Sequence, residues 1–308
     1  MRVTNGMMIS NFLSNLNRNM KTMNMYNSQL SSNRKITKIS DDPVSVVTSI
    51  DIRAKIRDLD QFQRNVDDAQ TWVTHVETAI MDINETVKSA YERAIQAANG
   101  VLTNAEKTAI GADVRQLKEH VFQTMNSTYG SKYLFGGYNT NTAPFVMDGN
   151  GDVTYNNINL ITTDPNTLPL QHLSFEVGRG LEMPVTFPGH EVAGTGEKNI
   201  MKLFDDMIDL LENDGSSEEL SGMATKFQDK QNEILAMTAE LGGRTNRLEL
   251  ISNRYGKDAI NYEGVRGNIE DIDTSEVIMH FKMSEAVYNA ALSIGSKVIV
   301  PSLVDFLR

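Results

Sequence analysis

The sequence of 308 residues contains no cysteine, which excludes disulfides, thiolate metal ligands and thiol nucleophiles in one step. Proline is scarce outside one segment, because five of the seven prolines lie between residues 139 and 196. No run of apolar residues approaches the ~18 that a membrane span needs. The first 20 residues are rich in Asn and Ser and lack the apolar core of a secretory signal, so we expect any export to proceed without a cleaved signal peptide.

Charge is distributed unevenly along the chain. Acidic residues are absent from residues 1–40, which carry six basic residues, although the whole chain has a net charge of −11. An acidic chain binds phosphate backbones poorly, which argues against nucleic acid as the main partner. The basic arm, residues 1–40, has only Phe12 and Tyr26 as aromatic residues, too few to stack successive bases. We therefore expect this arm to face solvent or a protein partner.

Two long heptad patterns are the strongest positive feature. Twelve consecutive core positions of the first are all apolar: Phe62, Val66, Ala69, Val73, Val76, Ile80, Ile83, Val87, Ala90, Ala94, Ala97 and Val101. In the second, nine of twelve are apolar: Leu220, Met223, Phe227, Lys230, Ile234, Met237, Leu241, Arg244, Leu248, Ile251, Tyr255 and Asp258. Stripes of this length pack against another long helix, so they predict an antiparallel helical rod rather than the wall of an enzyme pocket.

Local signals set the expected helix boundaries. Asp42 before Pro43 predicts a helix start. The carboxylate can accept hydrogen bonds from the free backbone amides of the first turn, and proline fits the first helical position because no amide hydrogen is needed there. Asn99-Gly100 predicts the end of that helix. Capping boxes start two further helices, at Thr103 with Glu106 and at Ser216 with Glu219, and the first of these is expected to stop at Gly130.

Residues 139–196 differ from the helical segments in composition and in residue pattern. Short alternating stretches at residues 152–155 and 173–177 stand among Gly, Asn, Thr and most of the prolines, which predicts a small β insertion. The overall fold class is therefore mainly α, a long antiparallel helical rod or coiled coil with a small inserted β domain. Gly242-Gly243, inside the second heptad pattern, is expected to mark either close backbone approach or a bend.

Both ends of the chain carry amphipathic stripes without an obvious partner except each other or the same stripe of a neighbouring copy. These residues are the candidate assembly interface: Ile9, Leu13, Leu16, Met20, Met23, Leu30, Ile278, Phe281, Tyr288, Leu292, Ile299 and Phe306. Asp41, Asp42 and Pro43 form the helix-start motif. The methionines at positions 7, 8, 20, 23 and 25 are expected to fill a core. The alternative, which we rank lower, is that they form adaptable contacts with two chemically different neighbours.

No motif predicts catalysis, a cofactor or a metal. The five histidines lack metal-ligand spacing, and no serine lies in a nucleophile elbow. Asp148-Gly149-Asn150-Gly151-Asp152 starts like a calcium loop, but Val153 and Asn159 occupy positions that need Gly and Glu, so a hairpin turn is expected. Gly194-Thr195-Gly196 lacks the remainder of a phosphate loop and is interpreted as a hinge. We expect a protein that is not an enzyme.

Several segments resemble the flagellin superfamily. They are MRVTNGMM at residues 1–8, QLSSNRKITKISDDPVSV at 29–46, AANGVLTNAEK at 97–107, YLFGGYNTNTAPF at 133–145 and the carboxyl-terminal residues 268–307. Filament flagellins usually have a pattern like LSSGLRINSAKDDAAG where this chain has LSSNRKITKISDDPVSV. Pro43 therefore favours a resemblance to the hook-filament junction proteins of this superfamily over the filament subunits.

The resemblance implies three domains: a terminal coiled coil of residues 1–43 and 264–308, a helical rod of 44–138 and 197–263, and an exposed β domain of 139–196. It also implies an extracellular place in the bacterial flagellum, flagellar type III export, and a layer of identical subunits. The implied partners are hook-associated protein 1, flagellin and an export chaperone, with no nucleic acid and no membrane insertion. Two alternatives stay open, a filament subunit and a secreted helical rod that binds host surfaces through its β domain.

The composition of the basic arm suggests why its order would depend on assembly. It is rich in Asn and Ser and poor in core residues, so a single copy gains little burial to offset the ordering entropy. We expect disordered ends before assembly. Incorporation is then expected to bury the stripes and to bring the arm near the acidic stretch Glu270-Asp271-Ile272-Asp273.

Overall fold

The computed structural model describes residues 5–99, 103–147, 153–163, 168, 171–213 and 215–298. The chain divides into two compact units, Met1–Leu59 with Lys257–Arg308 and Asp60–Gly256. The division into three domains that the resemblance implies stays a prediction.

Helices make up most of the described residues. They are α1 Asn5–Ser32, α2 Pro43–Ala98, α3 Asn104–Met125, α4 Gly189–Ala193, α5 Ile200–Glu212, α6 Ser217–Glu270 and α7 Thr274–Val298. The strands are β1 Thr128–Tyr129, β2 Lys132–Tyr133, β3 Phe145–Met147, β4 Val153–Tyr155, β5 Ile158–Asn159, β6 Ser174–Gly178 and β7 Leu181–Pro184. The fold class predicted from the heptad patterns is confirmed.

The first heptad pattern is the core of α2 in the second unit. Its ten positions from Val66 to Ala97 are all buried, and Phe62 is half-buried against the Tyr255 ring, with the two ring centroids 6.3 Å apart. The twelfth position, Val101, lies outside the described residues. Such an unbroken stripe gives α2 a continuous apolar surface for its neighbours in this unit.

Contacts along α2 and α6 show that the two helices are antiparallel within the second unit. Gln63 Nε2 donates to Ser252 Oγ at 2.8 Å near one end of the pair, whereas the Ser217 hydroxyl donates to the Ala98 carbonyl at the other. Two shorter helices complete the packing. Phe204 of α5 meets Phe227 of α6 edge to face at 5.3 Å, and Lys118 of α3 pairs with Asp205 at 2.5 Å.

Helix α3 ends earlier than predicted, at Met125 rather than Gly130. The reason is Asn126, whose side chain accepts from Phe145 N at 3.0 Å and donates to Phe145 O at 2.9 Å, like one residue of a neighbouring strand. The chain then turns through the β1–β2 hairpin, where Gly130 has φ +60°. Strand structure therefore begins before residue 139, the predicted start of the insertion.

The insertion itself consists of small antiparallel sheets, as expected. One sheet has the order β3-β4-β5, with Asn156 and Asn157 at positive φ in the turn between β4 and β5, and the other is the β6–β7 hairpin. The predicted turn at Asp148–Asp152 lies outside the described residues. A Cβ atom built at Gly242 or Gly243 has nothing within 4 Å, so close backbone approach, one of the two expected roles, is absent among the residues that the structure describes.

Candidate functional site

Helices α1 and α7 of the first unit pack against each other in antiparallel orientation. The Tyr26 ring stacks on the His280 ring, with centroids 5.6 Å apart and planes 13° apart. Toward the other end of the pair, Gly295 of α7 faces Phe12 of α1, and a Cβ atom built at Gly295 would lie 2.2 Å from Phe12 Cζ. Only glycine lets the Phe12 ring approach the α7 backbone this closely.

The pair has a seam with heptad spacing on each helix. On α1 the half-buried seam positions are Ile9, Phe12, Leu16, Asn19, Met23, Tyr26 and Leu30. On α7 they are Val277, Phe281, Ser284, Tyr288, Ala291 and the buried Gly295. Positions of this type alternate every three and four residues, which is the spacing of a two-helix coiled coil. Each seam residue other than Gly295 keeps part of its surface exposed, because two helices alone enclose little volume.

The structure divides the candidate assembly interface into two groups. Half-buried seam residues form the first group: Ile9, Leu16, Met23, Leu30, Phe281 and Tyr288. Exposed residues form the second, with 39–48% of their surface accessible: Leu13, Met20, Ile278 and Leu292. Ile299 and Phe306 lie outside the described residues. The pairing within one chain thus uses only part of the predicted apolar surface and leaves the rest accessible.

Helix α7 carries a further apolar face that the sequence reasoning missed. Met279, Met283, Val287 and Ile294, here called the outer stripe, are 48–60% exposed. At about 100° per residue, the outer stripe lies roughly 120° around the helix from the seam. The sequence signal for this face is the spacing of Met279 and Met283, four residues apart. Residues with this spacing lie on one face of a helix, and that face is separate from the seam.

Methionines on α1 are exposed as well, which corrects the expectation that they fill a core. Met7, Met8, Met20 and Met25 have 39–59% of their surface accessible, and only Met23 is half-buried in the seam. The interpretation as core filler is wrong for these four residues, because the two-helix pair has no interior in which to place them. Together with the outer stripe, they leave exposed apolar side chains on both helices of the terminal pair.

The basic arm meets the acidic stretch within the same chain. Arg34 and Asp271 form an isolated antiparallel β-bridge, and Lys35 N donates to Glu270 O at 2.6 Å. Gln29 of α1 fixes the same turn by donating to Lys35 O at 2.9 Å. These bonds join the α1–α2 connection to the α6–α7 connection in the first unit.

The Glu270 carboxylate is the polar centre of this joint. Arg53 donates from Nε to Oε1 at 2.7 Å and from Nη2 to Oε2 at 2.5 Å, and the Ser49 hydroxyl donates to Oε1 as well. The hydrogen bonds from Arg53, followed by that from Ser49 and by the charges of Arg53 and Arg34, outweigh burial and lower the pKa of Glu270 to about 2. The joint is therefore held by a charged, hydrogen-bonded carboxylate at neutral pH.

The helix-start motif lies beside this joint in the chain. Asp42 accepts from Ser45 N at 3.1 Å and from Ser45 Oγ at 2.6 Å, and α2 begins at Pro43. The same hydrogen bonds from Ser45 lower the pKa of Asp42. Asp41 caps the preceding turn instead, since its carboxylate accepts from Lys38 N at 2.9 Å. The two carboxylates thus bind different backbone segments and do not form an acid/base pair.

Two polar positions of the second heptad pattern lie at or beside the β insertion in the second unit. Arg244 donates to the main-chain oxygens of Pro184 at 3.3 Å and Thr186 at 3.4 Å, and its guanidinium lies 4.5 Å from the centre of the Phe187 ring. Lys230 is buried beside the segment that returns from the insertion and pairs with Glu233 at 3.4 Å, while desolvation lowers the pKa of its amine. Arg244 therefore binds the insertion directly, whereas Lys230 lies beside the end of it.

The histidines take part in packing and surface contacts. His120 lies 3.2 Å from Asp82, His172 lies 3.5 Å from Glu191, and the His75 ring stacks on Tyr129. Within the described residues, no group of three or more His, Asp or Glu side chains is arranged to hold a metal ion. Those residues also include no helix with the length and apolar content that crossing a membrane requires.

The chain is similar to known flagellar proteins. Residues 3–140 match the family model of the bacterial flagellin N-terminal helical region. The chain is 22% identical over 303 residues to the flagellar hook-associated protein 3 of Salmonella typhimurium, an alignment that covers 94% of this chain and 95% of that protein.

Solved structures have the same fold. A putative flagellar hook-associated protein of Vibrio parahaemolyticus superposes with a TM-score of 0.66 at 20% identity, covering 75% of this chain and 100% of that one. The flagellar junction protein of Legionella pneumophila superposes with a TM-score of 0.59 at 14% identity, covering 73% of this chain and all of that one.

Proposed function

We infer that this chain, which belongs to the flagellin superfamily, is a structural component of the bacterial flagellum and the adaptor that joins the hook to the flagellin filament. Its relatives are structural flagellar proteins, and the role is assembly without catalysis. The finer parts of the proposal are its neighbours, hook-associated protein 1 on the hook side and flagellin on the filament side, and its export through the flagellar type III route with a chaperone.

The observation that carries the proposal is the exposed apolar surface of the α1–α7 pair. Four predicted interface residues and the outer stripe remain accessible after the two helices have paired. Apolar surface of this extent on helices fits lateral packing against the same helices of neighbouring copies. Repeated head-to-tail contacts of this kind build a ring or a helical layer, so we propose the terminal pair as the assembly surface.

The test compares flagella from a strain that lacks the chain with flagella from complemented strains. We expect hooks without filaments in the deletion strain, and normal filaments when the wild-type chain is supplied. Met283→Glu should reduce incorporation at least about tenfold, because it places a charge in a surface that assembly buries. Met81→Glu is the matched control: Met81 is 53% exposed but lies on α2 in the second unit, and incorporation should be unchanged.

A second measurement separates the junction role from that of a filament subunit. The purified wild-type chain should remain short or monomeric until hook-associated protein 1 is added, whereas a filament subunit polymerises alone. Long filaments from the chain by itself would contradict the junction role. Filaments on the deletion strain would contradict the adaptor role, and equal effects of the two glutamate variants would contradict the proposed assembly surface.

A further inference from the structure

Sulfur chemistry in this chain belongs to methionine alone, since the sequence has sixteen methionines and no cysteine. The described methionines fall into distinct classes. Met125, Met183, Met201 and Met207 are at most 2% exposed in the second unit. Eight others are at least 39% exposed, and six of these lie on α1 and α7: Met7, Met8, Met20, Met25, Met279 and Met283. Accessible thioethers are therefore concentrated on the terminal pair.

Met279 and Met283 are highly accessible apolar residues of α7. They are 60% and 58% exposed and stand one helical turn apart in the outer stripe, with Val287 continuing the same face. A thioether is apolar and adapts its shape to different neighbours, which suits a packing surface. Its sulfoxide is polar and chiral and does not pack as an apolar side chain.

We propose that Met279 and Met283 are a redox modification site, at which sulfoxide formation by peroxide before incorporation blocks assembly and reduction of the sulfoxide restores it. The inference rests on the proposed function, because it assigns a regulation to the same surface. It concerns the chain before assembly, when the outer stripe is accessible to solvent; burial against a neighbour shields the same sulfur atoms afterwards.

The chemistry needs only a peroxide as the oxidant. A lone pair of the methionine sulfur attacks one peroxide oxygen, so that an S–O bond forms while the O–O bond breaks. The sulfur loses two electrons to the peroxide, and the second oxygen leaves as hydroxide, which takes the proton of the new S–OH group, so that the sulfoxide and water are the products. Methionine sulfoxide reductases, one enzyme for each sulfoxide epimer, reverse the change with a dithiol as the reductant: the dithiol is oxidised to a disulfide and the sulfoxide oxygen leaves as water.

The first test requires no substitution. The full chain is oxidised partially with hydrogen peroxide and offered to flagella of the deletion strain, and sulfoxide at each methionine is measured by peptide mass spectrometry in the incorporated and excluded fractions. We expect sulfoxide at Met279 and Met283 to be at least about fivefold enriched among excluded chains. Met81 and Met147, exposed but on other elements, should show equal occupancy in both fractions.

A second test uses side chains that peroxide does not oxidise. For each variant, incorporation of the peroxide-treated chain is divided by incorporation of the untreated chain, and this ratio is compared with that of the wild type. The ratio should be at least about threefold higher for the Met279→Leu/Met283→Leu variant, and unchanged for Met81→Leu. Circular dichroism checks that oxidation leaves the helices formed, and the two reductases should restore incorporation of the oxidised wild type.

The outcomes distinguish this inference from the proposed function. Equal sulfoxide occupancy at Met279 and Met283 in incorporated and excluded chains overturns the redox site while leaving the assembly role standing. The same holds if the double leucine variant is as sensitive to peroxide as the wild type. If the untreated wild-type chain fails to restore filaments, the proposed function is wrong and the redox inference fails with it.

Discussion

Arg53 and Glu270 form a two-point ion pair, in which Arg53 Nε lies 2.7 Å from Oε1 and Nη2 lies 2.5 Å from Oε2 of the carboxylate. The pair joins α2 to the last residue of α6, and the main-chain oxygen of Glu270 also accepts from Lys35 N. One residue thus binds the start of α2 through its side chain and the end of the basic arm through its backbone. The stability of the first unit should depend on it.

Replacing Glu270 by Gln should destabilise the first unit by about 1–3 kcal/mol, because Arg53 and Ser49 lose a charged acceptor. The cost stays below that of a fully buried pair, since the Arg53 side chain is 38% exposed. Urea unfolding of the full chain, followed by amide exchange in α7, measures the change. Glu263→Gln is the control: its pair with Arg266 is exposed and spans 3.8 Å, so it should alter stability by less than about 0.5 kcal/mol.

Acid should remove the contribution of the Glu270 carboxylate to the unfolding free energy in a defined pH range. Its pKa of about 2 lies below the ordinary value of 4.5, so the folded state favours the charged carboxylate. The contribution is complete above about pH 4.5 and is lost as the pH falls toward 2. The difference in unfolding free energy between the wild type and Glu270→Gln should therefore shrink between pH 4.5 and 2. A difference that stays constant over this range would contradict the assignment.

Gly295→Ala should weaken the α1–α7 pair by about 1–3 kcal/mol, because the new methyl group would overlap the Phe12 ring. Gly264→Ala supplies a control with the opposite sign. It lies in α6 with nothing within 4 Å of a built Cβ atom, so the better helix propensity of alanine should stabilise the chain by up to about 1 kcal/mol. Thermal unfolding compares the variants, and Phe12→Leu should relieve part of the Gly295→Ala defect.

Arg244→Lys should loosen the β insertion, since one ammonium group cannot bond both carbonyl oxygens and cover the Phe187 ring. The loss of these contacts should cost about 1–3 kcal/mol of local stability. Hydrogen exchange of peptides that span residues 171–187 should accelerate, while α2 keeps its protection. Arg247→Lys, at an exposed position of the same helix, should leave the exchange unchanged.

Amide exchange also tests the expected disorder of the basic arm in the unassembled chain. The α1 seam is only half-buried, whereas ten seam positions of α2 are buried. Residues 5–32 should therefore exchange at least about tenfold faster than residues 66–97 in the isolated chain and become protected after incorporation. Equal protection of the two segments before assembly would show that the terminal pair is already stable by itself.

The long helices were predictable because their determinants are local or periodic. The α2 seam needs only the repeat from Phe62 onward, and the starts of α2 and α3 need only the carboxylate and hydroxyl patterns at Asp42 and Thr103. The burial of Lys230 and Arg244 was not predictable, because it depends on contacts with a segment remote in sequence. The heptad count recorded both residues only as polar interruptions.

The terminal surface was predicted in part. The apolar stripes of both ends are evident in the sequence. The sequence does not distinguish Leu16, which lies in the seam, from Leu13, which remains exposed. That division depends on which face of α1 meets α7, and the choice is set in part by the close approach of Phe12 to Gly295. A contact between residues so far apart in the chain leaves no periodic signal.

The contacts between the long helices and the β6–β7 hairpin have a consequence for sequence variation. Arg244 bonds the main-chain oxygens of Pro184 and Thr186, Tyr255 bonds that of Val177, and Asn65 bonds that of Glu176. Every peptide unit offers such an oxygen, whichever side chain it carries. The outward-facing residues of this hairpin are thus free to diversify under selection, or to be replaced by grafted epitopes, while its attachment to the scaffold persists.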